Sequence, residues 1–150
     1  PDTDLIAREL FQTELLTVAS PKYLEQNGVP EHPVELANHS LIDFSHRDIA
    51  HSWTYPGKRG EPISFAIGPR TRCNDAEMER SLAISGTGIT RLPALVCSQD
   101  IKAGRLVTLL VDYEPKPAGV NLVYPNRAHL PKKTRVMVDF LVAKSATMKR

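Results

Sequence analysis

Two short polar segments follow apolar runs of the kind that form buried strands, and their side chains could bind a small ligand. Ser45 and His46 follow the apolar residues 40–44, while Asn74 and Asp75 follow a second such run and open a predicted helix. Ligands of open α/β sheets bind outside the carboxyl ends of the strands. The free amides of a helix N-terminus favour an anion or a carbonyl oxygen. The sequence therefore predicts a small-molecule site that uses these four residues.

Each of these residues also has a purely structural interpretation. Asn74 and Glu77 form an N-x-x-E pattern, in which Asn74 caps the helix and Glu77 bonds back to the cap amide. The charge of Asp75 would repel a carboxylate ligand if its side chain pointed inward. Ser45 and His46 could belong to a solvated loop. The residues alone leave these alternatives open.

The sequence offers little support for catalysis or for a bound metal. It has no G-x-S-x-G elbow, no glycine-rich phosphate loop with a lysine and no H-E-x-x-H motif. Ser45 and His46 are neighbours in sequence, an arrangement that rarely aligns two side chains for proton transfer. The five histidines are scattered rather than spaced as metal ligands. We therefore predict neither an enzyme, nor a metal site, nor a cofactor.

The composition indicates an ordinary globular chain with an apolar core. The 150 residues are 41% hydrophobic and 24% charged, and the formal net charge is +2. This charge is too small to indicate binding to nucleic acid or to an anionic membrane. The apolar runs are shorter than the roughly 20 residues of a transmembrane helix. Cys73 and Cys97 are expected to be reduced in the cytoplasm, although a disulfide between them is possible.

The candidate residues lie within a predicted strand–helix–strand–helix segment. Met78 and Leu82 share one helical face and are expected to anchor the first helix to a sheet. Gly86 or Gly88 supplies the left-handed residue that ends this helix, and Pro93 is expected at the first position of the second helix. Short units of this kind predict a parallel sheet.

The rest of the chain alternates in the same way. Trp53 and Tyr55 are expected on one arm of a hairpin, with Trp53 as a core residue rather than a ligand platform. The other expected elements are strands within residues 4–19, 40–44, 106–111 and 120–124, and a final helix that starts at Pro131, buries Thr134, Met137, Phe140 and Leu141, and frays from Ser145 onward.

Several of these segments together resemble a known family in order and spacing. They are Ala19-Ser20-Pro21-x-Tyr23-Leu24, His32-Pro33-x-x-Leu36, Trp53-x-Tyr55, Asn74-Asp75, Gly86-x-Gly88-Ile89-x-x-Leu92-Pro93, Asp100-x-x-x-Gly104-Arg105-Leu106-Val107, Leu122-Val123-Tyr124-Pro125, His129-Leu130-Pro131 and Asp139-Phe140-Leu141. No single segment is specific, but nearly the whole chain resembles the C-terminal effector-binding, or substrate-binding, domain of LysR-type transcriptional regulators.

This resemblance implies an α/β, periplasmic-binding-protein-like (type 2), two-lobed Rossmann-like fold. The second lobe, residues 21–112, is expected to be complete. The first lobe is expected to be partial, with strands in residues 1–20 and a return strand and helix in 113–150. The family's domain is cytoplasmic and binds a small-molecule effector in the cleft between the lobes. DNA would be bound only through an N-terminal winged helix-turn-helix that is absent from this chain.

Two other function classes share the two-lobed or doubly wound layout. A periplasmic solute-binding protein would be favoured by an upstream signal peptide or by a bridge between the cysteines. An enzyme of the doubly wound class would need a nucleophile or a cofactor loop. We expect a homodimer or higher oligomer, because a partial first lobe leaves sheet edges and apolar faces uncovered.

Overall fold

The computed structural model describes residues 5–44, 52–57, 61–66, 68, 71–125 and 131–148. In chain order, the strands and helices are β1 (Leu5–Thr13), β2 (Leu15–Ala19), α1 (Pro21–Asn27), β3 (Ile42–Phe44), β4 (Ser52–Pro56), β5 (Pro62–Ala66), β6 (Thr71–Cys73), α2 (Ala76–Ser85), β7 (Thr90–Pro93), α3 (Ala94–Lys102), β8 (Val107–Leu109), β9 (Ala118–Pro125) and α4 (Lys132–Met148). Two 3₁₀ segments, Pro33–Asn38 and Val111–Tyr113, connect them.

The chain divides into two compact units. One consists of Pro1–Thr13 with Pro117–Arg150, and the other of Glu14–Lys116. The strand β2 belongs to the second unit because it pairs with β7 on one side and with β8 on the other. The chain thus passes from the first unit to the second directly after Thr13.

The second unit contains strands of both directions. β3 and β6 are parallel, and a parallel bridge between Leu41 and Ile89 connects β3 to the start of β7. The amide of Ile42 donates to the carbonyl of Ile89, and that of Ile89 to the carbonyl of Ser40, each over 2.9 Å. The prediction of a parallel sheet is therefore correct for β3, β6 and β7 but wrong for β2, which runs antiparallel to both of its neighbours.

Two glycines shape the turn between α2 and β7. Gly86 has a φ of 90° and is the left-handed residue that ends α2. Gly88 serves a different purpose, because a Cβ at this position would lie 2.3 Å from the carbonyl oxygen of Ser40. The strand pairing next to the Leu41–Ile89 bridge therefore requires a residue without a side chain at position 88.

The helix α2 begins one residue later than the capping pattern predicts. Asp75, not Asn74, is its N-cap: an Asp75 carboxylate oxygen accepts from the amide of Met78 over 2.8 Å. Glu77 does not bond back to the cap, because its carboxylate accepts from the guanidinium of Arg80. Similarly, Pro93 precedes the first residue of α3 instead of occupying it.

The buried face of α2 also differs from the predicted one. Met78 is 54% exposed, whereas Ala83 is fully buried and Glu79 is only 3% exposed. Leu82 does pack against the core, as expected. A small residue such as Ala83 lets the helix backbone approach the sheet, so the larger Met78 lies outside this contact.

A buried carboxylate joins α2 to the end of α3. Asp100 is 1% exposed and accepts from Arg80 over 2.8 Å and from Nε of Arg105 over 2.7 Å. Burial alone would raise the pKa of Asp100, but the hydrogen bonds from Arg105 and Arg80 outweigh this effect and lower the pKa below its ordinary value. The segment Asp100-x-x-x-Gly104-Arg105 therefore serves as a structural connection.

The hairpin of β4 and β5 covers part of the core. Trp53 and Tyr55 are buried in β4, as the alternation predicts. The Tyr55 and Thr17 hydroxyls share a buried hydrogen bond of 2.9 Å. Burial raises the pKa of Tyr55, which keeps the phenol neutral. This bond fastens the hairpin to β2.

In the first unit, β1 and β9 are antiparallel and α4 contacts β1. Among the side chains of α4 that the structure describes, Val138 and Ser145 are buried, whereas Met137 and Phe140 are 56% and 59% exposed. The predicted inner face was thus correct for the half-buried Thr134 and Leu141 but wrong for Met137 and Phe140. The predicted fraying is also wrong for Ser145–Met148, which continue α4, whereas Lys149 and Arg150 lie outside the described residues.

Candidate functional site

A cavity of about 450 Å³ lies within the second unit, where several strands end. Its apolar walls are Leu15 at the start of β2, Phe44 at the end of β3, Trp53 in β4, Ala76 at the start of α2 and Pro93 at the end of β7. Leu15 belongs to this edge because β2 is antiparallel to β7, which pairs Leu15 with Pro93. The cavity therefore occupies the position at which α/β sheets bind ligands, outside the carboxyl ends of the parallel strands.

Three ionisable side chains interrupt these apolar walls: Asp43 of β3, Glu79 of α2 and Arg91 of β7. Asp43 is buried, and one of its oxygens accepts from the indole N–H of Trp53 over 3.3 Å. The hydroxyl of Thr90 donates to the carboxyl of Glu79. Both acids therefore have hydrogen-bond donors supplied by the protein itself.

Glu79 is poised to change its charge near neutral pH. Its pKa is raised from 4.5 to about 7. Burial is the largest cause, the nearby charge of Asp43 adds to it, and the hydrogen bond from Thr90 opposes both. Burial is the main cause of the raised pKa of the Cys73 thiol, and the charge of Glu79 is the next largest cause. The cavity wall thus holds a carboxyl group whose pKa lies well above that of an ordinary glutamate.

Arg91 reaches from β7 to the hairpin. Its guanidinium carbon lies 4.8 Å from the ring centre of Tyr55 and 5.8 Å from that of Trp53, within the range of cation–π attraction. One Nη donates to the carbonyl of Thr54 over 3.5 Å, the outer limit of a hydrogen bond. Nε is buried and has no hydrogen-bond partner among the described residues. Burial lowers the pKa of Arg91.

The four residues predicted from the sequence have different outcomes. Ser45 and His46 lie outside the described residues, directly after Phe44 of the cavity wall. Asn74 and Asp75 are exposed and directly precede Ala76, which lines the cavity. Asp75 is engaged as the cap of α2, so the structural interpretation that was considered for Asn74 applies to its neighbour instead. A ligand-binding role for all four residues stays a prediction.

The sequence analysis missed Asp43, Glu79 and Arg91. Arg91 had a usable signal, since it is the single charge within the run Ile89-Thr90-Arg91-Leu92-Pro93. Glu79 had none, because the predicted helix face was set by Met78 and Leu82. Trp53 is a buried hairpin residue, as predicted, and it lines the cavity as well.

Other features of the described segments carry no further chemistry. They hold no group of three or more His, Cys, Asp or Glu side chains that could bind a metal ion. Cys73 and Cys97 are both free thiols. Among the described helices, none is long and apolar enough to cross a membrane.

Comparison with known proteins identifies the family. The family model described as the LysR substrate binding domain matches residues 1–146. The chain belongs to this family. A curated relative, the HTH-type transcriptional regulator CrgA of Neisseria meningitidis, is 34% identical over 142 residues, which are 94% of this chain and 47% of that protein. The chain thus spans about half the length of the curated relatives it matches.

Solved structures of LysR-type regulators show the same fold. The regulatory domain of CrgA superposes with a TM-score of 0.80 at 33% identity, covering 95% of this chain and 70% of that one. The full-length Vibrio cholerae virulence activator AphB gives a TM-score of 0.80 at 28% identity, covering 97% and 49%. The predicted periplasmic-binding-protein-like α/β fold and the resemblance to LysR-type regulators are therefore confirmed. The alternative of a periplasmic solute-binding protein is wrong, because the relatives are transcriptional regulators.

Proposed function

We propose that this chain is the effector-sensing part of a LysR-type transcriptional regulator and that the cavity at Trp53 receives the effector. The observation that carries this proposal is the cavity itself. It combines about 450 Å³ of apolar space with three ionisable side chains at the carboxyl ends of the strands. This combination of apolar walls and a few fixed polar groups is typical of small-molecule sites.

The regulatory role rests on the relatives. Several of them carry the name HTH-type transcriptional regulator, and each is about twice as long as the part matched here. In our proposal, DNA is bound by a winged helix-turn-helix outside this chain, in a cytoplasmic, non-enzymatic protein that forms a homodimer or higher oligomer. The effector would shift the equilibrium between regulator states through its different affinity for each state.

The loops beside the cavity belong to the same proposal. Phe44 and Ala76 are wall residues, and the predicted ligand-binding residues are their immediate neighbours in sequence. We therefore expect Ser45 and His46 on one side and Asn74 on the other to contact the effector, with Asp75 fixing the helix that carries Ala76. The assignment of residues 21–112 to the second lobe stays part of this proposal.

The proposal can be tested by filling the cavity. Ala76→Phe places a large side chain in the wall, whereas Ser81→Phe places the same side chain at an exposed position of α2 as a matched control. In a regulator that contains this chain, the first variant should abolish the transcriptional response to effector and the second should retain it. Equal unfolding midpoints of the two variants would exclude misfolding as the cause. A normal response from Ala76→Phe would contradict the proposed site.

A further inference from the structure

Arg91 is a cation with few partners at the wall of an apolar cavity. A guanidinium has five N–H donors. Those of Arg91 make one described hydrogen bond, the 3.5 Å contact with the carbonyl of Thr54, and the buried Nε has none. Within the described part of the chain, no carboxylate forms an ion pair with Arg91, in contrast to Arg80 and Arg105, which both bind Asp100. The guanidinium therefore retains donors for an acceptor from outside the protein.

The aromatic rings on one side of Arg91 do not supply this acceptor. Trp53 and Tyr55 attract the charge through their ring faces, but they offer it no oxygen from those faces. The buried Nε is closed to solvent, so a ligand in the cavity would meet the Nη groups. A carboxylate matches a guanidinium through two parallel N–H to oxygen bonds. A ligand with a planar, anionic acceptor would thus accept hydrogen bonds from the guanidinium donors that the protein leaves without a partner.

The remaining walls restrict the rest of the ligand. Leu15, Phe44, Trp53 and Pro93 present apolar surfaces, so the body of the ligand should be apolar and compact enough for about 450 Å³. Asp43 and Glu79 lie in the same wall and are already hydrogen-bonded, to Trp53 and Thr90 respectively. Their negative charge opposes every anionic group on the ligand, and the single guanidinium of Arg91 can offset this repulsion for only one carboxylate.

We propose that the cavity selects a small monocarboxylate with an apolar body, whose carboxylate binds the guanidinium of Arg91. This inference rests on the proposed function, because it names the chemical class of the effector for the same cavity. It assigns to Arg91 the role of anion anchor, and to Asp43 and Glu79 the rejection of dianions. The two roles can be separated by probes that share one shape and differ in charge.

Phenylacetate, phenylacetamide and phenylmalonate form such a set, with one, no and two negative charges at about pH 8. Trp53 is the only tryptophan and lines the cavity, so its fluorescence reports occupancy directly. We expect phenylacetate to bind the native chain at least about tenfold more tightly than either other probe, because hydrogen bonds between a guanidinium and a carboxylate are stronger than those to a neutral amide. Calorimetry on the same samples would confirm the affinities.

Variants then assign the preference to a residue. Arg91→Met should remove the preference of phenylacetate over phenylacetamide, and Arg91→Lys should retain part of it, because a lysine keeps the charge but not the planar donor pair. Arg8→Met, at an exposed position of β1, is the matched control and should change nothing. Glu79→Gln removes one negative charge from the wall and should therefore reduce the difference in affinity between phenylacetate and phenylmalonate. This variant leaves Arg91 in place, so it tests the inference even if Arg91→Met unfolds the hairpin.

The possible results distinguish this inference from the proposed function. If all three probes bind equally and Arg91→Met leaves their ratios unchanged, the monocarboxylate class is overturned while ligand binding in the cavity stands. If no probe binds the native chain, the class is again overturned, and the response of the Ala76→Phe regulator to its effector decides the proposed function separately. A preference for phenylacetate that disappears in Arg91→Met supports the inference.

Discussion

Replacing Glu79 by Gln should abolish a pH dependence of stability that the buried carboxyl imposes. The pKa of Glu79 is raised from 4.5 to about 7 in the folded chain, chiefly by burial, and the side chain is 3% exposed. A raised folded-state pKa means that the folded chain binds more protons than the unfolded chain between these two values. The free energy of unfolding therefore falls as the pH rises from about 4.5 to about 7, and the loss is complete above 7.

The magnitude follows from the same two pKa values. Each pKa unit corresponds to about 1.4 kcal/mol of differential interaction, so a rise from 4.5 to about 7 corresponds to about 3 kcal/mol. Gln has nearly the same shape and keeps an oxygen to accept the hydroxyl of Thr90, but it does not titrate. The difference in free energy of unfolding, variant minus native chain, should therefore increase by about 3 kcal/mol as the pH rises from about 4.5 to 8.

Urea unfolding at several pH values, followed by the fluorescence of Trp53, measures this difference directly. Titrating groups that do not interact with Glu79 contribute equally to both proteins, so their contributions cancel in the comparison. Glu77→Gln, at a position of α2 whose side chain is 68% exposed, serves as the control for introducing a glutamine into this helix. A Glu79→Gln effect that stays constant within about 0.5 kcal/mol across this range would refute the reasoning.

Three further substitutions test the scaffold, each by chemical unfolding. Gly88→Ala should destabilise the chain by about 1–3 kcal/mol, because the new Cβ would lie 2.3 Å from the carbonyl oxygen of Ser40; an unchanged unfolding midpoint would contradict this. Asp100→Asn should cost about 2–4 kcal/mol at neutral pH by removing the buried partner of two arginines. This cost should shrink as the pH falls below 3.8, because the lowered pKa of Asp100 makes its contribution disappear on acidification. Tyr55→Phe should cost about 1 kcal/mol by leaving the buried hydroxyl of Thr17 without its partner, and a neutral result would indicate that the hairpin can shift.

The sequence predicted those elements whose signals are local. The alternation of Trp53 and Tyr55 is local and is confirmed. The signal for a left-handed glycine at position 86 or 88 is local as well, and the structure assigns this role to Gly86. The exchange of Asn74 for Asp75 as the cap is an error of one residue, because both side chains can accept the same amide. Such errors arise where two neighbouring residues can both act as a helix N-cap.

Helix faces were less predictable, since they depend on contacts between distant segments. Hydrophobicity favours Met78 as the buried residue of α2, yet the structure buries Ala83 and Glu79. The same kind of error occurs in α4, where Val138 is buried instead of Met137 or Phe140. In α2 the close approach of backbone to sheet decides the outcome, and side-chain size then matters more than hydrophobicity.

The three ionisable residues of the cavity wall are not among the residues that carry the resemblance. Gly88, Asp100 and Arg105 belong to the segments that carry the resemblance, and each has a structural task in a strand contact or a buried ion pair. Glu79 and Arg91 are not among the residues that define those segments, although both line the cavity. A scaffold fixed by one set of residues leaves the other set free to suit different ligands. Substitutions at Glu79 and Arg91 should therefore change which molecule binds, whereas substitutions at Gly88 and Asp100 should change whether the chain folds.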